Sequence, residues 1–66
     1  MDIRRSIRAV MYKLDINQNE MASRSEVSVS TLSLLMNGKR MPSMESLGRM
    51  AVVGDMTIGE FIAAGE

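Results

Sequence analysis

The chain has no cysteine and no histidine among its 66 residues. That excludes disulfides, thiol nucleophiles, zinc-finger ligand sets and imidazole acid–base chemistry, so neither a metal nor a cofactor is expected. Tyr12 and Phe61 are its only aromatic residues. Two rings are too few for the stacking platform that RNA or a single strand requires. No apolar run approaches the ~20 residues of a membrane span. Lys and Arg lie near the N-terminus with no apolar run behind them, so no secretory signal is read and a cytosolic protein is expected. An enzyme would have to draw its catalysts from Asp, Glu, Lys, Ser and Tyr12, on short helices with no evident pocket. None is expected.

What the chain does have is methionine and a skewed charge. A single domain is the sensible count, and a chain this short buries roughly 60% of its unfolded surface, so dimerisation would help it. The eight methionines are expected to fill a small helical core, since thioethers pack irregular gaps well. Net charge is formally zero, but its distribution is not even. Residues 1–40 carry seven Lys/Arg against four acids, a net of +3, and residues 41–66 carry Arg49 against four acids, a net of −3. Such a split points to a basic face for DNA and an acidic far half.

Asp2 caps a predicted helix over 3–14, with Ile3, Ile7, Val10, Met11 and Leu14 on one stripe and Arg4, Arg5 and Arg8 off it. After the break at Asp15-Ile16-Asn17, Gln18 to Gly38 (QNEMASRSEVSVSTLSLLMNG) organises the rest. Asn17 caps a helix over 18–25, with Glu20 three residues on to complete a capping box and Met21 and Ala22 inward. Ser25-Glu26-Val27 is the turn, Val27 its apolar plug. Ser28 caps a helix over 29–36, carrying Leu32, Leu35 and Met36 at helical spacing, and Asn37-Gly38 stops it. Helix, short turn, helix is the form of a helix-turn-helix.

The loop Gly38-Lys39-Arg40-Met41-Pro42 follows. Ser43 then caps a helix over 44–53 with Met44, Leu47, Met50 and Ala51 inward, and Gly48 either admits a close helix crossing or weakens the helix. Thr57 and Glu60 form a second capping box, opening a helix over 58–63 with Ile58, Phe61 and Ile62 on one side. Ala63 to Glu66 reads as a fraying tail.

These pieces together resemble the phage repressor and Cro family (lambda-repressor-like, Xre-type) over about residues 3–62. The resemblance rests on Gln18, Met21-Ala22, Val27-Ser28, Leu32-Ser33, Asn37-Gly38-Lys39, Pro42-Ser43, Glu45, Leu47, Ala51 and Thr57-Ile58-Gly59-Glu60-Phe61. It implies an all-α, compact five-helix domain over residues 1–66. The chain departs from the family pattern at three points. Glu26 occupies the turn position where Gly is preferred. Gly54 stands for a core Leu, which suggests a loosened end to the fourth helix. Met11 and Met36 replace a paired Arg and Glu, an exchange that packed hydrophobes tolerate.

The resemblance puts the 29–36 helix in the major groove with its N-terminal residues on base edges. Those positions are Ser28, Val29, Ser30, Ser33 and Leu34, with Thr31 facing sideways. Val29 and Leu34 offer methyls to thymine; the serines offer hydroxyls that discriminate little. No Arg, Asn or Gln before Asn37 supplies a bidentate contact. Phosphate contacts are expected from Gln18, Asn19, Arg24, Asn37, Lys39 and Arg40; Arg4, Arg5 and Arg8 either reach flanking phosphates or, more commonly on a first helix, form an exposed arginine face. Met56, Ile58, Phe61 and Ile62 are candidates for a dimer contact or, equally, for capping the core. The expectation is a Cro- or repressor-like regulator of phage, prophage or plasmid type, acting without a small-molecule ligand. It would bind a pseudo-palindromic operator on double-stranded DNA as a homodimer, in the cytoplasm of a bacterial cell. The alternative is an antitoxin-like or partner-binding module on the same fold.

Overall fold

The computed structural model describes residues 2–66, and Met1 lies outside the described residues. Five helices follow one another: α1 Ile3–Leu14, α2 Gln18–Ser25, α3 Val29–Met36, α4 Met44–Val53 and α5 Ile58–Ala63. Each begins on a side-chain cap. Asp2, Asn17, Ser28, Ser43 and Thr57 accept hydrogen bonds from the N–H groups of Arg4, Glu20, Thr31, Ser46 and Glu60 respectively. A cap of this kind contributes about 1 kcal/mol by satisfying an otherwise orphaned donor. Only the α5 cap is a reciprocal box, with Glu60 reaching back to the Thr57 N–H. The box expected at α2 is half made, because the Glu20 carboxylate turns to Arg24 at 3.0 Å.

The first four helices also end alike. After each, a residue in the left-handed region folds the chain back: Asp15 (φ 55°), Glu26 (φ 58°), Gly38 (φ 70°) and Asp55 (φ 57°). The next N–H then reaches a carbonyl five residues earlier: Ile16 to Met11, Val27 to Ala22, Lys39 to Leu34 and Met56 to Ala51. This is the Schellman closure. Three of the four use a residue with a side chain, Glu26 among them, so the helix-turn-helix turn keeps its left-handed geometry without glycine. Ile16, Val27 and Met56, which follow the left-handed residues of α1, α2 and α4, pack against the core.

That core is drawn from all five helices: Ile3, Ile7 and Val10; Met21 and Ala22; Leu32 and Leu35; Leu47, Met50 and Ala51; and Phe61. α2 packs on α3 and α4, α1 on α3 and α5, and α4 on α5. Met11 and Met36 are half-buried against this core, so apolar packing replaces the ion pair the resemblance implied. The methionines divide between core and surface. Met21 and Met50 are fully buried, whereas Met41 and Met44 are 72% and 68% exposed. Met44 therefore does not point inward: it is the first residue after its cap, on the turn that faces solvent.

Two further expectations are corrected. The end of α4 is not loosened at Gly54. Gly54 is buried, and a Cβ there would lie 2.9 Å from Val10 Cγ2. The missing side chain is what lets α1 and the α4 turn meet, and Lys13 Nζ donates to the Gly54 carbonyl at 3.0 Å. Nor does the segment after α5 fray. Gly65 is buried, and a Cβ on it would come within 2.5 Å of the Asp2 carbonyl. Gly48 requires no close crossing, since a Cβ there meets Ile58 at an ordinary 3.8 Å.

Candidate nucleic-acid interface

The solvent side of α3 is set by the residues it buries. Leu32 and Leu35 fix which face turns inward, and the helical period leaves Ser28, Val29, Ser30 and Leu34 exposed with Ser33 half-buried. Val29 and Leu34 keep 48% and 39% of their surface exposed. The Ser28 hydroxyl is occupied twice, accepting from the Thr31 N–H at 3.0 Å and donating to Thr31 Oγ1 at 2.8 Å. Thr31 thus braces the start of the helix. At the far end Asn37 Nδ2 donates to Ser33 Oγ at 3.4 Å. The five positions predicted for base contact lie on the outer side of this element, Ser28, Val29 and Ser30 at its start and Ser33 and Leu34 in its second half, with hydroxyls and methyls as their chemistry.

Around α3 the cations fall into two groups. Arg24 is held by Glu20, and Arg49 by Glu45 and, at 3.7 Å, by Glu26. Among the described residues no ion pair engages Lys39 or Arg40, which are exposed on the loop after α3. Asn19 is exposed and Gln18 half-buried at the start of α2. The predicted phosphate set therefore contains two uncommitted cations and one, Arg24, already partnered.

Sequence spacing does not separate Arg4 from Arg5 and Arg8, which all lie off the apolar stripe of α1, but the structure does. Its guanidinium rests against the end of α3: a Cβ on Gly38 would be 3.4 Å from Arg4 Nη1. Arg4 Nε binds Asp2 Oδ1 at 3.3 Å. Desolvation works to raise the Asp2 pKa, but the Arg4 guanidinium and the Arg4 and Arg5 N–H groups outweigh it and hold the carboxyl below its ordinary value. At the start of α5 the Thr57 N–H, then the Thr57 side chain, lower the Glu60 carboxyl against desolvation, with Lys13 adding attraction.

Phe61 is wholly buried and has no surface to give a second subunit. Met56, Ile58 and Ile62 are half-buried, so only they retain surface from the set considered for dimer contact. Among the described residues no group of three or more carboxylates is placed to hold a metal, and no helix is long and apolar enough to cross a membrane.

Among the described residues, five helices without strands, built round an α2–turn–α3 pair with an exposed polar and methyl-bearing α3 face, define an all-α helix-turn-helix domain. A family model described as helix-turn-helix matches residues 5–61. The chain belongs to that family, of lambda-repressor-like, Xre type, a DNA-binding regulatory family that is generally non-enzymatic. No curated protein matches the chain.

Proposed function

We propose that this protein is a Cro- or repressor-like transcriptional regulator that binds a pseudo-palindromic operator as a homodimer in the bacterial cytoplasm. In this reading α3 enters the major groove. Ser28, Val29, Ser30, Ser33 and Leu34 meet base edges, while Gln18, Asn19, Arg24, Asn37, Lys39 and Arg40 hold phosphates. The observation that carries it is the contrast on α3: an outer face with no bidentate hydrogen-bonding side chain, ending in a turn that exposes Lys39 and Arg40 with no ion pair. A site of that kind draws affinity from phosphates and discrimination from thymine methyls and duplex shape. Repression follows sterically, by covering a promoter.

Selection of bound duplexes from a random pool, with affinity then titrated against salt, tests this. The expected result is an inverted repeat with half-sites about one helical turn apart and binding that weakens steeply with salt. Recovery of no duplex by the folded protein overturns it.

The second reading, a partner-binding module, is favoured by exposed apolar surface on α3 and α4. Besides Val29 and Leu34, Met44 and Val52 line a shallow groove of about 420 Å³ together with Gly48. A stable hetero-complex without salt-dependent DNA binding is the outcome that selects it.

A further inference from the structure

Arg4, Arg5 and Arg8 share one helix but not one environment. Among the described residues no hydrogen bond or ion pair engages the Arg5 or Arg8 side chain, whereas Arg4 is held by Asp2. Asp2 Oδ1 takes the Nε donor, and Nη1 lies beside the Gly38 turn, 3.4 Å from where a Cβ would stand. Arg4 and Arg40 then line the same open cleft of about 260 Å³, floored by Ile3, Leu35 and Pro42. A guanidinium has five N–H donors, and Asp2 occupies one. The remaining donors share the cleft with Arg40, beside the turn that exposes Lys39.

We infer that Arg4 is a phosphate-binding residue of the interface, completing with Lys39 and Arg40 a three-cation clamp on the backbone of duplex DNA. The clamp is assembled across the fold, two members from the turn after α3 and one from α1. Gly38, in the left-handed region (φ 70°), brings the turn beside the guanidinium, where even a Cβ would stand at an ordinary 3.4 Å. Asp2 positions Arg4 and does not cancel it, because a single carboxylate contact fixes the plane of the fork and leaves its outer edge to a phosphate. This inference rests on the DNA-binding reading above.

The test measures binding to a mixed-sequence duplex, so that it does not depend on an operator being found. Wild type, Arg4→Ala, Arg4→Lys and Arg8→Ala are compared across a salt series, with thermal melts to show that each is folded. Arg4→Ala is expected to weaken binding and to reduce the slope of log K against log salt by about 0.9 per subunit, the value of one phosphate contact. Arg4→Lys is expected to keep the slope and lose part of the affinity, since it retains the charge without the fork. Arg8→Ala is expected to leave the slope near that of wild type. Equal, small losses from Arg4→Ala and Arg8→Ala with unchanged slopes overturn the inference while leaving DNA binding intact. Wild-type protein that shows no salt-dependent binding overturns both.

Discussion

The turns that close α1, α2 and α4 use the same backbone device as the turn that closes α3, and they put it to different use. In the first three, the residue after the left-handed position is Ile16, Val27 or Met56, and it packs into the protein. In the fourth it is Lys39, which is exposed. The inward turns also carry the left-handed conformation on Asp15, Glu26 and Asp55, whereas the outward turn uses Gly38. A side chain in that conformation costs roughly 1–2 kcal/mol. Burial of an apolar neighbour offsets that cost in three places. Where nothing apolar follows, glycine removes the cost. One local geometry thus serves either to seal the core or to present a cation, and the residue after the turn decides which.

The largest effect expected on this contrast comes from filling the α4 turn. Gly54→Leu, which supplies the residue usual in the family, drives its Cβ into Val10 and is expected to lower stability by about 1–3 kcal/mol in chemical denaturation. Adding Val10→Ala should recover part of that loss, because the two sites share one space.

Next in size is a direct comparison of inward and outward turns. Ile16→Ala or Val27→Ala is expected to cost about 1–2 kcal/mol, while Lys39→Ala stays within about 0.5 kcal/mol. In DNA titrations Lys39→Ala is expected to lose affinity and salt slope, and the inward variants, once folded, are not. A Lys39→Ala protein as destabilised as Ile16→Ala would erase the distinction.

Smaller again is the left-handed residue itself. Glu26→Gly is expected to raise stability by about 0.5–1 kcal/mol, offset slightly by the weak Arg49 contact it removes. Gly38→Ala is expected to lower stability, because it puts a side chain in the left-handed region.

The smallest expected effect is a pH dependence at the α5 cap. The folded Glu60 carboxyl titrates below its ordinary value, so its contribution is fully present above the unfolded pKa and is lost as pH falls through the lower, folded one. Melting temperature measured from neutral pH into the acid range should therefore fall less steeply for Glu60→Gln, which keeps the cap and removes the titration.

The contrast also explains what could be read without coordinates. The five-helix order is legible because each start is announced by a side chain that accepts a backbone N–H two or three residues further on, and each inward face by a 3.6-residue period. The outer side of α3 followed from the same period, once Leu32 and Leu35 were placed inside. What was not legible depends on neighbours remote in sequence. Gly54 read as a weakness because Val10 is not visible from it, and the residues after Ala63 read as loose because backbone contact with α1 leaves no pattern. Phe61 lies on a short apolar stripe, and a stripe alone does not separate core from self-association. Met44 looked inward for the same reason. Arg4 is not distinguishable from Arg5 and Arg8 by sequence because the Gly38 turn it lies beside belongs to another helix.

The seating of Gly65 on Asp2 and Ser6 has a topological consequence. The two ends of the described chain meet, so a short linker from Glu66 to Asp2 would close it into a ring without disturbing any helix pair. Opened instead within the exposed Lys39–Met41 loop, such a permuted chain would keep its core contacts but cut the cationic clamp in two. That separates folding from DNA affinity in a single rearranged molecule.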